Sequence, residues 1–182
     1  MNSLNQYIFL LLNADAQASA FSIWLGRTLA EWPVFIALLL VALAWYRQTD
    51  RKLFAQRAVV TTALAMGMAL AIRCTYYNPR PFVLGLGRML IAHDPTSSFP
   101  SLHATFLFSM AFALLLHKGS RSIALFVMLL GVGTAWARIF VGVHYPLDMA
   151  GAFLTACLAA VAVKFCFQRA SGWAVKSGGA RG

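Results

Sequence analysis

The sequence predicts an all-α protein: a polytopic membrane helix bundle of five to six transmembrane helices, with six favoured. Three observations carry that prediction. Of the 182 residues, 60% are hydrophobic and 11% charged, against about 25% charged in an ordinary soluble domain, and the mean hydropathy is +0.72. The charged residues also lie between long uncharged runs rather than within them. Finally, the basic residues gather at the ends of those runs, where a membrane protein meets anionic headgroups. At this length a single membrane-embedded domain, residues 1–182, is the expectation.

The first element is an N-terminal helix within residues 1–30. Asp15 and Arg27 interrupt its apolar stretch, so it either spans the membrane or lies in the interface. The run YIFLLL followed by Ala18–Ala20 faintly resembles a signal peptide. However, residues 1–26 hold no Lys or Arg and the apolar core is short, so this segment is expected to stay in the mature chain. Five uncharged stretches follow: Trp32–Tyr46, Ala58–Ile72, Pro95–His117, Ser122–Ala137 and Met149–Val163. Several sit near the short end of the roughly 17–25 residues a spanning helix needs. Flanking Arg and Lys can snorkel, which extends each span by a few residues. Trp24, Trp32, Trp45 and Tyr46 stand where an aromatic belt would. The last residues, 170–182, ending in SGGARG, are expected to form a disordered tail. Cys74, Cys157 and Cys166 imply no disulfide framework.

The net charge of +10 arises from 15 Lys and Arg against five Asp and Glu. No basic face or reader motif accompanies it, so nucleic acid is excluded as a partner. Arg47, Arg51, Lys52 and Arg57 share one loop, Lys118 and Arg121 a second, and Lys164, Arg169, Lys176 and Arg181 mark the C-terminal region. With alternating helices these groups share one face, the cytoplasmic one by the positive-inside rule. The loops 73–100 and 139–145 then meet at the opposite, outer face.

That outer face collects Arg73, Arg80, Arg88, His93, Asp94, His103, Arg138, His144 and Asp148. Ionisable groups near a membrane span are costly and point to function. Converging guanidinium groups match phosphate oxygens and stabilise charge that builds during phosphoryl transfer. His144 and Asp148 are spaced i, i+4; a helix starting near Pro146 lets the carboxylate fix the imidazole tautomer and sharpen its other nitrogen as a nucleophile. His103 falls at the start of another span, where Ser101 and free backbone N–H groups offer an anion site. From there His103 can protonate a leaving oxygen and then activate water. Together these parts add up to phosphoryl transfer through a phosphohistidine. Arg88, His93 and Asp94, taken singly, are expected to be solvated loop residues, and His117 an interfacial one.

The motifs also resemble a family. Arg73 with Arg80-Pro81, then Pro100-Ser101-Leu102-His103, then Arg138 with His144 and Asp148, are similar to the three signatures K-x6-RP, PSxH and SR-x5-H-x3-D of the type 2 phosphatidic acid phosphatase superfamily. All the separations are kept. The stretches PRPF, SFPSLHA and ARIFVGVHYPLD look most like those of bacterial undecaprenyl diphosphate phosphatases. The resemblance implies a six-helix bundle of the bacterial inner membrane without a metal or other cofactor. It implies His144 as nucleophile, Asp148 as its orienting partner, His103 as acid and base, and Arg73, Arg80, Ser101 and Arg138 as the phosphate cradle. The substrate it implies is a polyprenyl or phospholipid phosphate, undecaprenyl diphosphate first, with the membrane lipids as surroundings. Three positions depart from the pattern: Arg73 replaces Lys, Ala137 replaces Ser, and Leu102 stands where undecaprenyl-type members often carry Asp.

Other readings keep their place. Phosphatidylglycerophosphate, phosphatidate or lipid A phosphate are alternative substrates, and transfer to another lipid an alternative reaction. His103, His144 and Asp148 could ligate a metal, but neighbouring arginines would repel it. A transporter of an anionic substrate is the alternative class; it would place charges at the membrane midplane, whereas these cluster at one surface.

Overall fold

The computed structural model describes residues 3–117 and 119–178, with side chains through Arg169. Among the described residues it holds seven α-helices and a short 3-10 turn, and no strand: α1 (Ser3–Leu12), α2 (Ala20–Glu31), α3 (Pro33–Tyr46), α4 (Arg51–Thr75), α5 (Leu102–Leu115), α6 (Arg121–Phe140) and α7 (Pro146–Gly178). Of the tail expected to be disordered from residue 170, the α7 backbone runs to Gly178; the rest lies outside the described residues.

Local chemistry sets the boundaries. Ser19 caps α2 by accepting from the Ser22 N–H, and Asp50 caps α4 by accepting from the Leu53 N–H. Pro33 and Pro146 occupy first-turn positions, where their missing N–H is harmless. Beyond Thr75, Pro79 and Pro81 prevent α4 from continuing. Gly142, at φ +85°, turns the chain out of α6. A side chain there would also collide with the Arg88 carbonyl oxygen, because the 88–90 strip runs alongside and the Leu90 N–H donates to the Val141 carbonyl at 2.9 Å.

α5 is the central helix, buried on most sides by α4, α6 and α7. α4, α6 and α7 through Arg169 are each long and apolar enough to cross a bilayer. α2 and α3 are long and apolar enough only as a pair, which bends by 47° at the Glu31-Trp32-Pro33 junction, as a broken span or a re-entrant loop would. The protein is therefore an all-helical membrane protein. Two elements differ from the sequence reading. The Pro95–His117 run is helical only from Leu102; residues 95–101, with Pro95 and Pro100, form an irregular strip that enters the bundle at Ser97, Ser98, Pro100 and Ser101, all buried. α1, at ten residues, is about 15 Å long, half a hydrocarbon core. Its two ends dock at the same end of the bundle: Asn5 Oδ1 accepts from the Leu147 N–H, and Asn13 Nδ2 donates to the Phe140 carbonyl. α1 thus lies across that end.

The ends of α4 and α6 and the starts of α5 and α7 meet there too. At the opposite end Arg57 donates to the Leu116 carbonyl at the end of α5 and shares a hollow with Lys164, cations placed where a helix C-terminus favours them.

Candidate active site

Beneath α1's end of the bundle lies a cavity of about 480 Å³, lined by Arg73, Arg80, His93, Thr96, His103, Arg138 and His144 among others. Helix ends deliver most of these groups. Arg73 comes from the last turn of α4, His103 from the first of α5, and Arg138 from the last of α6. His144 comes from the turn between α6 and α7, and Asp148 from the first turn of α7.

His144 is 1% exposed and held on both sides of its ring. Its Nδ1 lies 3.1 Å from Asp148 Oδ2 and its Nε2 lies 3.1 Å from Arg80 Nη1. Arginine can only donate, so Nε2 carries the lone pair and Nδ1 the proton. Burial, with Arg138 and Arg80 adding to it, holds the His144 pKa well below the usual histidine range. The ring is therefore neutral, with its lone pair on Nε2, where Arg80 donates. Asp148 Oδ2 also accepts from the Tyr145 N–H at 2.8 Å and from the Ser98 hydroxyl. Ser98 Oγ lies 3.2 Å from His144 Nδ1 as well, so one buried serine touches both members of the pair.

The arginines differ in what they leave free. Arg80 spends its N–H groups on the protein: Nε on the Thr96 carbonyl at 3.0 Å, Nη1 on the Val143 carbonyl at 2.8 Å and on His144, and Nη2 on Thr96 Oγ1 and the Ser97 carbonyl at 3.4 Å each. It staples the 96–97 strip to the 143–144 turn. Burial and the neighbouring Arg73 lower its pKa to about 10, which leaves it charged at neutral pH. Arg73 donates to the Ser98 and Pro100 carbonyls and to Thr96 Oγ1. Among the described residues Arg138, 2% exposed, donates only to the Ala30 carbonyl at 3.2 Å, and its buried Nε finds no partner there. Arg138 thus keeps the most donors for a ligand, and an anion is the guest that would satisfy them.

The other sequence candidates sort as follows. His103 lines the cavity. Ser101 is fully buried below it: its N–H donates to the Asp148 carbonyl, and its hydroxyl has no partner. Arg88 belongs elsewhere, reaching the Asp15 carbonyl beside α1. His93 is the correction. It is half-buried and lines the cavity with its ring 6.3 Å from that of His144, while Asp94, Pro95 and Thr96 stay exposed. Sequence reasoning also missed Ser98 and Thr96; only the position of Ser98 two residues before the Pro100-Ser101 pair could have flagged it. Among the described residues, no three His, Cys, Asp or Glu side chains converge as a metal site.

Residues 54–171 match the family model described as the PAP2 superfamily. The chain belongs to that superfamily. Two relatives place it more closely. The PAP2 domain and its flanks are 32% identical to YbjG of Escherichia coli (strain K12) over 173 residues, 92% of this chain and 85% of that one. They are 32% identical to the undecaprenyl-diphosphatase BcrC of Bacillus subtilis (strain 168) over 138 residues, 76% of this chain and 68% of that one. The fold is similar to that of LpxE from Aquifex aeolicus, with a TM-score of 0.67 and 23% identity across 89% of this chain and 95% of that one. This chain is thus a membrane phosphatase of the PAP2 type.

Proposed function

We propose that this PAP2 protein hydrolyses undecaprenyl diphosphate to undecaprenyl phosphate and inorganic phosphate, recycling a lipid carrier of cell-wall synthesis. The observation that carries the reading is the neutral His144, with Nδ1 tied to Asp148 and Nε2 turned toward the arginine-lined cavity. The name of the BcrC relative supports the choice of substrate.

In this reading the terminal phosphate settles on the free donors of Arg138 and Arg73, and draws the Arg80 N–H away from Nε2. Nε2 then attacks the terminal phosphorus. An N–P bond forms as the P–O bond to the lipid monophosphate breaks, and His103 protonates the departing oxygen. A water deprotonated by His103 attacks the phosphohistidine, releasing phosphate and restoring His144. Ser101 completes the cradle. No step draws on a metal. The basic end of the bundle faces the cytoplasm and the cavity faces the outer side of the bacterial inner membrane. The polyprenyl tail lies along the apolar flanks of the helices.

Phosphate release by detergent-purified protein tests this. Undecaprenyl diphosphate, phosphatidylglycerophosphate and phosphatidate are offered side by side, with excess EDTA and a His144→Ala control. Chelator-resistant release that prefers the diphosphate and needs His144 is expected. Preference for another lipid would move the substrate, and loss of activity in EDTA would overturn the metal-free scheme.

A further inference from the structure

We propose that His93, which no signature motif contains, binds the second phosphate group of a lipid diphosphate and so favours diphosphates over monophosphates. The inference rests on the phosphatase reading above and specifies what its cavity selects.

Three observations carry it. His93 lines the same cavity as His144, with ring centroids 6.3 Å apart and planes 80° to each other. In-line transfer places the leaving phosphate beyond the terminal phosphorus as seen from Nε2, inside the same cavity whose wall His93 shares with His144. Second, His93 Nδ1 lies 3.1 Å from the Asp94 carbonyl oxygen. A carbonyl only accepts, so Nδ1 bears a proton and the ring presents Nε2 to a ligand. Third, the charges match. The cavity already carries three arginines, with the Asp148 carboxylate behind His144. A phosphomonoester brings about two negative charges, and a diphosphate ester one more, which a protonated His93 would meet.

His93 faces Arg80 and Arg138, the Asp94 carboxylate, and the neighbouring His103 and His144 rings. Burial, then Arg80, lowers its pKa from the usual histidine value. A bound polyanion opposes the arginines' effect by placing negative charge beside the ring; a diphosphate would thereby favour the protonated ring, in which Nε2 is a donor.

The test uses farnesyl diphosphate and farnesyl monophosphate, which share one tail, with full-length wild type, His93→Ala and His93→Gln in detergent. The readout is the ratio of kcat/KM for diphosphate to that for monophosphate. In His93→Ala this ratio should fall about ten-fold, the scale of one charge-assisted hydrogen bond, chiefly through KM, and His93→Gln should recover part of it. An unchanged ratio, even with both activities reduced, would show a merely structural role and overturn the proposal. Wild-type protein that releases phosphate from neither lipid would refute the phosphatase reading, and this inference with it.

Discussion

Replacing Ser98 by alanine is the sharpest perturbation of the His144–Asp148 pair, because it leaves both residues themselves unchanged. The Ser98 hydroxyl is fully buried, donates to Asp148 Oδ2 and lies 3.2 Å from His144 Nδ1. Removing it takes one charge-assisted bond from a carboxylate whose other oxygen, Oδ1, is already buried without a partner. Asp148 then keeps the Tyr145 N–H at 2.8 Å and His144 itself. Such a bond contributes about 1.5–3 kcal/mol. If that loss falls on the orientation of His144, kcat drops roughly 10- to 150-fold, while KM changes little because no phosphate donor has been removed. The assay is steady-state phosphate release, with the melting temperature in detergent measured in parallel to separate catalysis from stability. A kcat within two-fold of wild type in a folded Ser98→Ala protein would refute the claim that this hydroxyl positions the pair.

His144→Ala should abolish turnover yet leave phosphate binding partly intact, measurable by calorimetry with inorganic phosphate. Arg138→Ala should lower kcat/KM by about 3 kcal/mol, roughly 100-fold, if its free N–H groups stabilise the transferring phosphoryl group; a loss under five-fold would argue otherwise. His144 has a depressed pKa in the folded protein, so it binds protons more weakly folded than unfolded. Its effect on stability is therefore nil well above about pH 6.5 and becomes destabilising as pH falls below that value. The melting temperature should drop with acidification, and less steeply in His144→Asn. Gly142→Ala forces a side chain onto a φ of +85° against the Arg88 carbonyl. It should lower stability by at least about 1–2 kcal/mol, read as a reduced melting temperature.

Much of the site was legible because its residues sit at helix ends, where spacing translates directly into geometry. His144 and Asp148 meet because Pro146 starts α7 and i, i+4 then closes over one turn. Arg73, His103 and Arg138 converge because α4, α5 and α6 alternate in direction. The course of residues 93–98, which brings His93 to the cavity and buries Ser97 and Ser98, was not legible. It depends on hydrogen bonds with no sequence period, such as the Ser98 N–H to the Asn78 carbonyl at 2.7 Å and Ser97 Oγ to the Tyr76 carbonyl. Counting charges treated this strip as part of a span, since serines carry no charge. For the same reason α5 looked longer than it is, while His93, just outside that run and beside Asp94, looked solvated. The placement of α1 turned on Asn5 and Asn13, whose amides clamp backbone at residues 88, 140 and 147; nothing in their sequence positions marks those partners.

The central claim is that His144 Nε2 becomes phosphorylated during turnover. Rapid acid-free quenching of the detergent-solubilised protein with lipid diphosphate labelled in its terminal phosphate tests it most directly. The account predicts a base-stable, acid-labile label on the wild-type chain, mapping to His144 and missing from His144→Ala. Rapid phosphate release with no labelled protein at any quench time, or the same label on the His144→Ala chain, would contradict it.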